Sequence, residues 1–185
     1  MRGIVSGLFL LLTVLACGQR DPAGHVNTQE ETESQIQGLD ALMGCRQRMR
    51  DQLVKGGEAR ELILEFIEST EQYVRAFPFD TLGPAFLLEA AQLAGGIGRP
   101  GSSIELWGLL WRNHPDHPEA PYAMFMQAFV FETTIGDTVN ARWYFEKVIS
   151  TYPEHPLAAS ARQSLSAMGK SAKDLIQQID TSKKY

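Results

Sequence analysis

From Thr81 to Pro156 the chain repeats itself at an offset of 38 positions, and this self-similarity constrains the fold more than any other feature. Gly98 and Gly136 share the offset. So do Ala85 and Ala123, Phe86 and Met124, Ala90 and Ala128, Leu93 and Phe131, Trp107 and Phe145, Leu110 and Val148, Pro115 and Pro153, and Pro118 and Pro156. A fixed period of this size is the mark of stacked supersecondary units. Each unit reads as an apolar helix, a glycine turn, a second amphipathic helix and a proline-containing stop. Proline cannot donate inside a helix yet suits its first turn, so HPDHP (114–118) and YPEHP (152–156) end one helix and start the next. Small residues at Ala90 and Ala128 let paired helices approach, and Trp107 and Phe145 fill the gap to the next hairpin. Neither hairpin buries its face alone, so the core forms by stacking.

The apolar segment Pro121 to Gly136 reads as one helix with only Gln127 and Glu132 polar along Tyr122 to Glu132. Such a helix needs cover on several sides. At about sixteen residues it is shorter than the roughly 20 required to cross a bilayer, which leaves neighbouring helices as the cover. Partial units flank the two clear ones. Leu39 to Val54, the Gly56-Gly57 turn, Ala59 to Phe77 and the stop at Pro78 form a degenerate first hairpin. Leu157 to Met168 opens a further unit that Gly169 breaks, and a short amphipathic helix from Ser171 with Leu175 and Ile176 caps the end.

The units resemble tetratricopeptide repeats, slightly longer than the usual 34 residues. The second carries Ala128, Phe131, Gly136-Asp137, Ala141, Phe145 and Pro153 in that family's order, and the first has Ala90, Leu93, Gly98, Trp107 and Pro115. Ser103 stands where the family prefers alanine, and Phe86 and Met124 replace its early tryptophan. The resemblance implies an all-α, right-handed stack of helical hairpins, an α-solenoid with a short C-terminal capping helix. The repeat domain is 38–180, comprising the degenerate hairpin 38–78, repeats 81–115 and 119–153, and the partial repeat and cap 156–180. It also implies that the first helix of each hairpin lines a concave groove for a peptide or partner helix. Residue by residue, that groove is Tyr122, Phe125, Phe129 and Glu132 from one unit and Leu87, Ala91 and Ala94 from the other. Whether this aromatic face is open or already covered is not decided by the residues.

The N-terminus carries an address. Arg2 precedes a short apolar run, Ile4 to Ala16, that ends in small residues before Cys17 and reads as an export signal over 1–16. Val14-Leu15-Ala16-Cys17 resembles the lipobox of bacterial lipoproteins, which implies cleavage before Cys17 and lipidation of that cysteine; an ordinary secretory signal or an uncleaved anchor is the alternative. Residues 17–37, rich in Gln, Glu and Thr, are expected to form a flexible tether reaching roughly 25 Å. Gly18 lacks the aspartate that retains many lipoproteins in the inner membrane, which implies the outer membrane, facing the periplasm. Signal, tether, repeats and cap together resemble small repeat lipoproteins of Bacteroidetes-type bacteria. These are related to outer-membrane assembly lipoproteins and to the repeat domain of the cell-division and Tol-Pal coordinator family.

Charge and motifs narrow the function. The side-chain charge of −5 becomes −6 once Arg2 leaves, so nothing draws the chain to nucleic acid. After lipidation Cys45 is the remaining cysteine, either a buried small hydrophobe or a reactive thiol. Arg46, Arg48, Arg50 and Lys55 face solvent or anionic lipid. His114-Pro115-Asp116-His117 has metal-ligand residue types, but His117 recurs as His155 at the repeat offset, so turn geometry explains it better. AGGIGRPG (94–101) follows a helix and is followed by no lysine, which makes it an interhelical turn and not a phosphate cradle. Glu65, Glu68 and Glu71 lie on a helix face without an opposed acid. The expectation is a non-catalytic, membrane-anchored scaffold with no cofactor or metal. It would bind an envelope protein partner within an outer-membrane assembly or secretion machine. The alternatives are a module that touches peptidoglycan or its enzymes, and an enzyme whose site the sequence does not advertise.

Overall fold

The computed structural model describes residues 28–169, so the signal segment, Cys17 and the expected cap after Gly169 lie outside the described residues. Within them the chain is all-helical. The elements are α1 (Thr28–Val54), α2 (Arg60–Ala76), α3 (Gly83–Gly96), α4 (Pro100–Asn113), α5 (Ala120–Val130), α6 (Thr138–Thr151) and α7 (Pro156–Met168). Helices pack in series, each on its chain neighbours, with a further contact between α5 and α7. Among these residues no helix is long and apolar enough to cross a membrane.

The turns explain the series. Gly56, Gly98 and Gly136 have φ of 70°, 76° and 76°, a backbone that glycine adopts without the clash a Cβ brings, and each joins the two helices of a hairpin. The breaks between hairpins repeat as closely. Phe77, His114 and Tyr152 adopt φ/ψ of −128/68°, −131/62° and −129/58°. Their amides donate to the carbonyls of Tyr73, Leu110 and Val148 at 2.8, 3.0 and 2.9 Å. His117 and His155 follow, each accepting through Nδ1 the amide N–H two residues on, Glu119 at 3.1 Å and Leu157 at 3.2 Å. That shared bond is the turn role the repeat offset suggests. Tyr152, which replaces His114 in the second copy, donates its hydroxyl to the Pro115 carbonyl at 3.1 Å and so ties one connector to the next.

Small residues set the helix approach. Ala90, Ala91 and Ala94 of α3 and Ala123 and Ala128 of α5 are fully buried, and so are Trp107, Leu110, Phe145 and Val148 facing them. Ser103 takes the place of an alanine without leaving a polar orphan, because its hydroxyl donates to the Ala91 carbonyl at 2.9 Å. The core divides into a larger cluster from α1 to the start of α5 and a smaller one over α5 to α7, and Trp111 and Tyr152 pack against both.

Two expectations are corrected here. The stretch Pro121 to Gly136 is not one α-helix: α5 ends at Val130 and a π-helical turn, Phe131–Ile135, leads to Gly136. The Thr133 hydroxyl bonds the Phe129 carbonyl at 2.8 Å, and consecutive β-branched Thr133, Thr134 and Ile135 crowd a tight helical turn. The tether expected over 17–37 is helical from Thr28 onward. Its composition is polar, but Glu and Gln are good helix formers, and distant contacts hold the segment down. Gln35 donates to Asp80. Gly38 lets α1 approach α2 closely, since a Cβ there would meet the Tyr73 ring at 3.3 Å.

Asp80, in the α2–α3 connector, is the centre of that junction. Its carboxylate accepts from the Tyr73 hydroxyl at 2.7 Å, the Leu82 amide at 2.6 Å and the Gln35 amide. Burial works to raise its pKa, but the hydrogen bonds from Tyr73, Leu82, Gln35 and Gly83 outweigh burial and hold it below the ordinary 3.8. Burial and the neighbouring Asp80 push the Tyr73 phenol up to about 12. A carboxylate depressed on folding stabilises the protein above its unfolded pKa, and that stability is lost as pH falls through the folded value. Asp80→Asn should therefore cost about 1 kcal/mol at pH 7, with the gap to the native chain narrowing below about pH 4 in urea midpoints.

Candidate interaction surface

The groove residues expected from the sequence do not share one exposed face. Leu87, Ala91 and Ala94 have no exposed surface, so these three are core and not groove. The reason is the close α3–α4 packing, in which Ala91 receives the Ser103 hydroxyl. Tyr122 and Phe125 are half-buried, edge-on to Trp107 (5.5 Å) and Phe145 (5.3 Å). Glu132 is half-buried in the π-helical turn, and Phe129, 42% exposed, is the open aromatic of the set.

A more organised surface lies between α4 and α6. The Lys147 ammonium sits 4.6 Å from the Trp111 ring centre and 4.6 Å from that of Trp143, held between two indoles. The Arg112 guanidinium lies 5.5 Å over Trp111. Tyr144 packs edge-on to Trp143 at 4.6 Å and stacks on Phe131 at 5.5 Å with 9° between planes. Trp143 is 51% exposed, with Val139 and Ile135 also open nearby in the chain. Among the described residues neither Lys147 nor Arg112 is ion-paired. Sequence reasoning passed over this group; the signal was Trp143 and Lys147 at i, i+4 on α6.

Below the surface, Gln127 fixes Trp111. Its amide is buried, accepts the Trp111 indole N–H at 2.8 Å and donates to the Ile104 carbonyl at 2.9 Å. Gly108 makes room for it, since a Cβ there would fall 2.9 Å from the Gln127 nitrogen. A side chain that looks like a blemish in an apolar helix thus has both its polar atoms partnered and fixes the half-buried Trp111 indole between the two core clusters.

The remaining polar groups serve the fold. Burial, with Glu65 adding to it, pushes the Cys45 thiol up, which fits a buried small hydrophobe and not a reactive thiol. Arg46 pairs with Glu89 at 2.6 Å and Arg48 pairs with Glu65, so both clasp α1 to its neighbours. A shallow cleft of about 380 Å³ is lined by Phe79, Pro84 and residues 113–117, but His117 is committed to its turn. Burial, followed by the neighbouring His117, lowers the pKa of His114.

A scan against protein-family models finds no match, and a search of curated proteins finds no significant one.

Trp111→Phe should cost about 1–3 kcal/mol by leaving the buried Gln127 oxygen without its donor. Adding Gln127→Leu should recover part of that loss, because removing both partners leaves no orphan. A double-mutant cycle in urea measures the coupling, and additive losses would mean that the bond contributes nothing.

Proposed function

We propose that this chain is a non-catalytic scaffold of the bacterial envelope, a right-handed tetratricopeptide-type solenoid held on the membrane by lipid at Cys17. It faces the periplasm of the outer membrane and docks a protein partner within an assembly or secretion complex. The observation that carries the reading is the pairing of a serial helical array, whose connectors repeat in geometry, with open aromatic side chains on two of its helices. Rigid aromatic residues on a fixed surface lose little entropy on binding, which is why such residues dominate protein interfaces. Phe129 and Trp143 are the open aromatics that the described residues offer on α5 and α6. The lipid confines the module and the segment after Cys17 gives it reach, so the partner is met at raised local concentration. A mildly acidic chain has no bulk pull toward nucleic acid.

Crosslinked membranes carrying the tagged chain test this. Barrel proteins should co-purify, and wall enzymes or glycan in their place would point to a different envelope role. Phe129→Arg should leave helicity and melting within about 0.5 kcal/mol of native, Trp143→Ala should cost about 1 kcal/mol through its lost Lys147 and Tyr144 contacts without unfolding the chain, and both should reduce capture. Cys17→Ser should release the chain from the membrane fraction. Capture unaffected by either aromatic change, or undiminished membrane retention without Cys17, would overturn the corresponding half of the reading.

A further inference from the structure

The first helix described, α1, has two apolar sides, and the described residues cover one of them. Leu42, Cys45 and Met49 are buried against the core, whereas Ile36, Met43 and Val54 stand open at 54%, 49% and 88%. Spacings of 7 and 11 residues return to nearly the same side of a 3.6-residue helix, so these three form a single stripe opposite the core. At 27 residues α1 is about 40 Å long, and the stripe runs along most of it.

Charge along the helix says what would cover that stripe. From Thr28 to Cys45 the ionisable side chains that carry charge are acidic, Glu30, Glu31, Glu33 and Asp40, with no Lys or Arg. The C-terminal part carries Arg46, Arg48 and Arg50 against a single acid, Asp51. Arg46 and Arg48 are engaged by Glu89 and Glu65, whereas Arg50 meets Glu89 at 3.9 Å and remains exposed beside the stripe. In a reversed copy the exposed Arg50 comes opposite the exposed Asp40, a pair that is complementary to itself. We propose that the outer face of α1 pairs antiparallel with α1 of a second copy of this chain.

The residues define one register. A twofold axis at the level of residue 45 sets Ile36 over Val54 of the second copy, Met43 beside Gln47, and Asp40 beside Arg50, each contact made twice. Opposed helix dipoles add to the pairing. One helix face of this length buries on the order of 400 Å² per copy, about half the roughly 800 Å² of a standard interface, so the dimer is weak and charge decides its register. This inference is independent of the scaffold reading: it concerns a different helix and no outside partner.

Sedimentation of the full chain in detergent, at concentrations into the hundreds of micromolar, tests it. The native chain should show monomer and dimer in exchange. Asp40→Arg and Arg50→Asp should each weaken association roughly ten-fold or more, because each sets like charges opposite one another twice. Mixing the two single variants should restore a heterodimer, since each then supplies the charge the other lacks, and the double variant should pair with itself. Melting curves monitor folding, and rescue by mixing cannot come from an unfolded chain. A photoreactive side chain at position 43 should give an intermolecular product. A native chain monomeric throughout, single swaps without effect, failure of the mixture, or an intramolecular product at position 43 would each overturn the proposal.

Discussion

Every helix in this protein depends on its chain neighbours to keep its apolar side out of water. A hairpin of two fourteen-residue helices has too little interior to stand alone, so the core is built between hairpins, at Trp107 and Phe145, as much as within them. The arrangement holds only if each hairpin meets the next at a constant angle. The connectors at Phe77, His114 and Tyr152 supply that constancy: their dihedrals agree within about ten degrees while the aromatic ring at the position changes in polarity from phenylalanine to histidine to tyrosine. What is repeated is the backbone path and its hydrogen bond, and the side chains are adapted around it.

That distinction explains what the sequence discloses. Gly98, Gly136 and the prolines after each stop are visible because they answer local backbone demands that few other residues meet. His117 and His155 are visible for the same reason, as each closes a turn with its own ring nitrogen. The helical character of Thr28 to Gln37 was hidden because the contacts that retain it lie far away in the chain, at Tyr73 and Asp80. The burial of Leu87, Ala91 and Ala94 was hidden for a related reason. In a serial stack a helix is covered on two sides, and apolar spacing alone cannot separate the side that meets a neighbour from the side that meets solvent.

The α4–α6 surface was hidden by its mixed origin. Trp111 comes from the last turn of one helix, Trp143 and Lys147 from the next-but-one, and Gln127 from the helix between them. No periodicity links such positions. Yet the pieces are mutually dependent: Gly108 admits Gln127, Gln127 orients Trp111, and Trp111 with Trp143 holds the ammonium. A buried amide whose donor and acceptor are both satisfied has little freedom, so the indole it holds is rigid too.

The two ends of the described array differ in what they leave open. α7 turns Ala158 and Ala161 inward, packs Leu157, Leu165 and Met168 beside them and leaves Arg162, Gln163 and Ser166 exposed, so its far side is compatible with water. α1 leaves an isoleucine, a methionine and a valine open on one line. An array built by adding helices in series faces the same difficulty at both termini, because the last helix added always has a free side. Here one terminus meets it with polar residues. The other keeps an apolar stripe flanked by charges of opposite sign at its two ends, which favours a reversed copy of the same helix over a featureless apolar partner.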